Sequence, residues 1–119
     1  MEERKSGLIN LRVINWKTKD DHCLEFWEPA YTAYTSFNPD FETNILRFGY
    51  TSMTTPSSTY EYNMEDKSKV LLKQQVVIGD FDQKNYESER LMVPARDGNK
   101  VPVSLVYKKG LVKDGSNPL

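Results

Sequence analysis

A chain of 119 residues and 13.8 kDa is the size of one domain, or of parts of two. Its 16 basic and 17 acidic side chains leave a net charge of −1, which argues against nucleic acid as a partner, and no apolar run approaches the roughly 20 residues of a membrane span. The opening Met1-Glu2-Glu3-Arg4-Lys5 has no apolar stretch behind it like that of a secretory signal, so the expected compartment is the cytoplasm.

Hydrophobic residues make up 38% of the chain and the mean hydropathy is −0.66, which predicts a folded chain with a thin core. Three Ala stand against 21 β-branched residues (9 Val, 4 Ile, 8 Thr), a composition that disfavours long helices and suits half-buried strands. The expected fold is mostly β. Leu8 to Trp16 sets Ile9, Leu11 and Val13 on one face, and Lys17-Thr18-Lys19-Asp20-Asp21 ends it as a turn. A short strand, His22 to Trp27, follows; Pro29 interrupts, and Tyr31 to Phe37 resumes an extended pattern until Asn38-Pro39-Asp40 turns. In the middle, Leu46, Phe48 and Tyr50 alternate with Arg47, Gly49 and Thr51. After Thr54-Thr55-Pro56-Ser57, Tyr60, Tyr62 and Met64 alternate with Thr59, Glu61 and Asn63. Glu65-Asp66-Lys67-Ser68 turns into Lys69 to Gln74, completing an antiparallel meander, the unit of a propeller blade or a small sandwich. Gln75 to Tyr86 loses the alternation and reads as a connector. Beyond it, Glu87 to Pro94 and Val101 to Lys108 flank a reversal at Asp97-Gly98, and the tail from Gly110 is irregular.

The chemistry that these residues offer is sparse. A lone cysteine, Cys23, allows no internal disulfide, and with a lone histidine, His22, it leaves the usual zinc sets incomplete. Adjacent on one strand, the two would point to opposite faces, so His22 is expected outward and Cys23 inward as a structural residue, not as a catalytic pair. No serine sits in the Gly-x-Ser-x-Gly context of a nucleophile elbow. Asp80-Phe81-Asp82 opens like a calcium loop, but Lys84, Asn85 and Leu91 stand where the loop needs an oxygen ligand, glycine and glutamate. Glu87 and Glu89 share a strand face, where a solvated edge is the simple reading. Tyr31, Tyr34, Tyr50, Tyr60 and Tyr62 are either a sheet core or a platform for stacking a sugar. No catalytic, cofactor-binding or metal-binding residue is assigned.

The string Leu46-Arg47-Phe48-Gly49-Tyr50-Thr51-Ser52-Met53-Thr54-Thr55-Pro56-Ser57-Ser58 resembles the last propeller blade of the prolyl oligopeptidase family of serine peptidases, and within it the oligopeptidase B branch. Tyr86, Ser88-Glu89-Arg90, Ala95-Arg96-Asp97-Gly98, Val101 to Tyr107 and Asp114-Gly115-Ser116-Asn117-Pro118-Leu119 resemble the start of that family's α/β-hydrolase domain, in the same order. Arg4 to Leu8, Leu11-Arg12-Val13 and Glu28-Pro29-Ala30-Tyr31 match less closely, and Asn15 to Trp27 least.

The resemblance implies an internal fragment: residues 1–74 as the closing blade of a seven-bladed propeller, 75–86 as the interdomain connector, and 87–119 as the first hairpin and tail of a truncated hydrolase domain. It implies a parent enzyme that cleaves short peptides after Arg or Lys, with the propeller restricting access to the active site. The catalytic triad, the oxyanion donors and the acidic specificity residues would all lie beyond this chain, leaving it inert by itself. Its partner would be the remainder of the parent peptidase, with no cofactor. In isolation, unpaired edges and faces are expected to drive homo-oligomerisation, burying Leu46, Phe48, Tyr50, Tyr60 and Tyr62 on one face and Leu91, Val93, Val103 and Leu105 on another. The rival readings are a free-standing β-rich interaction module and a tyrosine-lined carbohydrate-binding sandwich.

Overall fold

Across residues 1–118, which the computed structural model describes, the chain forms nine strands in three antiparallel sheets. Leu119, the last residue of the expected hydrolase segment, lies outside the described residues.

The first sheet has the order β1-β2-β3, with β1 Glu2–Lys5, β2 Leu8–Ile14 and β3 Asp21–Cys23. Strand β1 is absent from the sequence-based expectation because it carries no apolar residue. It forms because Ser6 and Gly7, with φ of 50° and 80°, make a two-residue reversal whose twist suits an antiparallel pair. Its Glu3 then meets the Arg12 guanidinium at 2.9 Å, while Arg12 Nε donates to Asp21 across the other neighbour. The expected strand over His22 to Trp27 shrinks to Asp21–Cys23. Leu24 and Ala30 are buried and Phe26 packs on the core, so tertiary packing takes this segment out of the sheet.

The second sheet is the expected meander: β4 Tyr31–Thr35, β5 Ile45–Ser52, β6 Ser58–Asn63 and β7 Lys69–Gln74, paired in chain order. A register shift at Thr59/Tyr60 bulges the outer pair. Leu11, Leu24, Ala33, Phe48, Tyr50 and Tyr62 form the buried core between the two sheets, with Ile9, Val13, Phe26, Tyr31, Leu46 and Tyr60 packed around them. Each large side chain so buried contributes about 1.5–3 kcal/mol. The face bearing Phe48, Tyr50 and Tyr62 is therefore covered by the chain's own first sheet, not by a second copy as expected. Tyr50 at 0% and Tyr62 at 2% exposure belong to the core, the first of the two readings of the tyrosines, whereas Tyr34 is 45% exposed on the opposite side of the sheet.

His22 and Cys23 are inverted relative to expectation. His22 lies opposite Val13 on the inner side of the sheet, whereas Cys23 pairs with Arg12 and is exposed. Parity follows from β2, whose Leu11 and Val13 already face the core.

Residues 75–82 are irregular, a 3-10 turn covers Gln83–Asn85, and β8 Tyr86–Pro94 with β9 Lys100–Lys108 make a separate two-stranded hairpin. The molecule is flat, 55 × 43 × 20 Å, with a radius of gyration of 17.5 Å against about 14 Å for a compact globule of this length. It exposes 9087 Å², where roughly 6,600 Å² would suffice for its mass. Among the described residues no helix is long and apolar enough to cross a membrane.

Candidate functional site

The polar centre of the structure lies at one end of the four-stranded sheet, where the chain turns from β5 to β6. Thr54, Thr55 and Ser58 are buried there, an arrangement that polar side chains tolerate only when hydrogen-bonded. Ser52 Oγ accepts the backbone N–H groups of Thr54 at 3.0 Å and Thr55 at 2.7 Å, closing the turn on itself. Its own proton goes to Glu28 Oε1 at 2.7 Å. Tyr50 Oη and Thr55 Oγ1 both donate to Glu28 Oε2 at 2.7 Å, and Thr54 Oγ1 donates to Oε1.

One carboxylate from the irregular segment between the sheets is thus bound by four hydroxyls from β5 and its turn. Partial burial pushes the Glu28 carboxyl upward, but the bonds from Thr54, Thr55, Tyr50 and Ser52 outweigh it, and the group titrates below its ordinary value of 4.5. The same contact works in reverse on Tyr50: burial, then the bond to Glu28, hold its phenol protonated far above the ordinary range. Glu28 is therefore an anion that organises the turn, with its lone pairs occupied. Aromatic packing supports it from the flanking residues, since Phe26 lies 5.3 Å and Trp27 4.7 Å, centroid to centroid, from Tyr50.

The connector docks on this cluster. Asp82 caps the 3-10 turn by accepting Lys84 N–H at 2.9 Å, and this is the role the structure finds for the calcium-like Asp80-Phe81-Asp82 stretch. Gln83 Nε2 then donates to Thr55 Oγ1 at 2.9 Å. A groove of about 620 Å³ runs past Glu28, Thr54, Gln83, Lys84 and Lys109, between sheet and hairpin. A second tie comes from the hairpin itself: Arg90 donates to Ser104 Oγ at 3.1 Å and to Ser6 C=O at 2.6 Å, reaching the β1–β2 turn. Gly7 suits the positive φ of that turn, and its bare Cα leaves room for the Arg90 guanidinium, which lies 2.8 Å from where a Cβ would stand.

The remaining residues weighed from sequence are dispersed. His22 Nε2 shares a 2.7 Å hydrogen bond with Tyr62 Oη, which joins the two sheets. Glu89 is engaged by Tyr107 Oη and by Lys113 Nζ, the latter at 2.6 Å, so it is not left with Glu87 as a pair of free acids. Among the described residues no group of three or more His, Cys, Asp and Glu side chains could hold a metal ion. Glu28 escaped the sequence reading as a functional residue, although both Glu28-Pro29-Ala30-Tyr31 and Thr54-Thr55-Pro56-Ser57 had been singled out as strings. Nothing in either string says that the two meet.

Residues 1–75 match the family described as prolyl oligopeptidase, N-terminal beta-propeller domain. Over 98% of its length the chain is 45% identical to dipeptidyl aminopeptidase BI of Pseudoxanthomonas mexicana and 30% identical to protease 2 of Moraxella lacunata, spanning 16% of each. Among solved structures it is similar to oligopeptidase B from Trypanosoma brucei with covalently bound antipain, with a TM-score of 0.83 and 31% identity over 98% of this chain and 18% of that one. Oligopeptidase B from Leishmania major follows the same path at a TM-score of 0.78 and 27% identity, over 95% of this chain and 17% of that one.

Proposed function

Because the chain belongs to the prolyl oligopeptidase family, through its N-terminal propeller, we propose that it is the internal part of a serine peptidase in which the propeller ends and the catalytic domain begins. In this reading residues 1–74, expected as the closing blade alone, are the end of the propeller, with the meander β4–β7 as the closing blade and the separate sheet β1–β3 packed against it. Residues 75–86 cross between domains and 87–119 open the hydrolase domain. The observation that carries it is the order of parts: a four-stranded meander, an irregular passage that docks on it through Gln83, and a separate hairpin. The large exposed area for this mass supports a chain that other protein covers.

The role of this part is structural. The propeller limits entry to short peptides, and the blade contributes to that by shape; the nucleophile, base and oxyanion donors lie in the rest of the catalytic domain, whose cleavage after Arg or Lys follows the oligopeptidase B likeness. A second specificity, release of dipeptides from a free N-terminus, is favoured by the 45% identity to dipeptidyl aminopeptidase BI. Isolated, the chain self-associates through the hairpin face of Leu91 and Val93, each 42% exposed.

Assay of the intact peptidase on Arg- and Lys-arylamides, N-blocked and as free dipeptidyl derivatives, separates the two specificities. The 119-residue chain alone should turn over none of them and should not react with a fluorophosphonate. Stoichiometric labelling of Ser52 or Ser104 would overturn the proposal.

A further inference from the structure

We propose that the crossing is clamped to the four-stranded sheet at its far end, by a series of hydrogen bonds running from Gln83 through Thr55 to the Glu28 carboxylate, so that the hairpin pivots at Lys84 and not on the exposed loop before it. The proposal rests on the reading of residues 75–86 as the passage between domains.

Two contacts hold the loop, and both land on the turn between β5 and β6. At its start Gln75 N–H donates to Ser57 C=O at 2.8 Å. At its end Gln83 Nε2 donates to Thr55 Oγ1 at 2.9 Å. Val76 and Ile78, 84% and 98% exposed, lie between these anchors. A loop whose two ends are fixed on one turn can flex without moving anything beyond it. The exposed stretch is therefore a poor hinge, however mobile its side chains are.

The anchor at Gln83 is stronger than a single neutral contact. Thr55 Oγ1 accepts from the amide and donates its own O–H to the Glu28 carboxylate at 2.7 Å, a series in which each bond polarises the next. Thr55 is itself positioned by its backbone N–H on Ser52 Oγ at 2.7 Å. On the other side of Lys84, Asn85 C=O accepts Lys109 N–H at 2.8 Å, which makes Asn85 part of the hairpin. Lys84 thus separates a residue tied to the sheet from one tied to the hairpin. Rotation there breaks two main-chain bonds of the 3-10 turn, Asn85 N–H to Asp82 C=O at 3.0 Å and Tyr86 N–H to Gln83 C=O, together with the Arg90 bond to Ser6.

Amide hydrogen exchange in the intact protein tests this without reading activity, so the result stands whether or not the protein proves to be a peptidase. Gln83→Ala should raise exchange over residues 83–86 about fivefold, the factor that one net hydrogen bond is worth, while β5 and β6 are unchanged; Thr55→Val, which also removes a donor to Glu28, should raise it at least as much over 83–86 and less over β5 and β6. Thr55→Ser should restore the native rate. Ile78→Pro, which stiffens the exposed loop, should leave residues 83–86 as they were. The clamp is overturned if both variants stay within twofold of native, if Thr55→Ser behaves like Thr55→Val, or if exchange rises equally throughout β5 and β6. A change at 83–86 from Ile78→Pro as large as that from Gln83→Ala would return the hinge to the loop.

Discussion

The side chain of Tyr34 covers Gly49, its cross-strand partner in β4–β5: a Cβ placed on Gly49 would come within 2.6 Å of both Tyr34 Cε2 and Oη. An aromatic ring laid over a strand glycine shields backbone that would otherwise face solvent, and Gly49 is accordingly buried although it lies on the side of the sheet away from the core. Gly49→Ala should therefore destabilise by about 1 kcal/mol by forcing the ring aside, whereas in a Tyr34→Ala background the same change should be neutral or stabilising, because Ala suits a strand interior better than Gly. Urea unfolding of the four proteins measures the coupling. Equal costs in both backgrounds would show that the ring does not matter to the glycine.

Acid should act through the carboxylates held below their ordinary values: Glu28 and Glu2 on the packed sheets, and Asp66, Glu89, Asp97 and Asp114 at exposed positions. Burial raises Glu28 but its four hydroxyl donors bring it below 4.5, and Glu2 is held below 4.5 by the backbone N–H of Thr35 and then its hydroxyl. A carboxylate with a depressed folded value stabilises fully above its unfolded value and loses that contribution as pH falls through the folded one. The melting temperature should be level from about pH 7 to 5 and decline below about 4.5. Glu28→Gln should lower it at neutral pH and make the acid decline shallower; an unchanged acid slope would exclude Glu28 as its source.

The inverted pair at His22 and Cys23 has two consequences. Cys23 is exposed, so a thiol reagent should titrate one equivalent in the folded protein at nearly the unfolded rate. Tyr62→Phe, which deletes the inter-sheet bond from a buried phenol to His22, should cost about 1 kcal/mol. A protected thiol would restore the orientation expected from sequence.

Proteases should find the loop before Gln83 first. Its residues 75–82 lack regular structure, and Ile78 is 98% exposed, so limited digestion should cut within 76–81 and release the β8–β9 hairpin from the two packed sheets. Initial cleavage within β5–β6 would contradict the order of stability that the core implies.

Self-association should follow the hairpin alone, since the blade face is already covered. At micromolar concentration, sedimentation equilibrium should show a dimer or larger species, and Leu91→Lys with Val93→Lys should return it toward 13.8 kDa. A native monomer with cooperative unfolding would favour the free-standing module.

The meander was readable in the sequence because its inner strands bury one face: a period of two with Leu46, Phe48 and Tyr50 on one side, then Tyr60 and Tyr62, admits one secondary structure and one side toward the core. The irregular passage was readable for the opposite reason, the loss of any period after Gln74. Tertiary structure decided the rest. Strand β1 has no apolar residue and exists through a left-handed Ser6-Gly7 turn and ion pairing to Arg12. The orientation of His22 and Cys23 was set by register against β2, where one residue of slip reverses every side chain. Glu28 meets Tyr50, Ser52, Thr54 and Thr55 across 22 to 27 residues of chain. Polar side chains in irregular segments carry no periodicity, so only the packing of one sheet's exit against another sheet's turn could bring that carboxylate to its four hydroxyls.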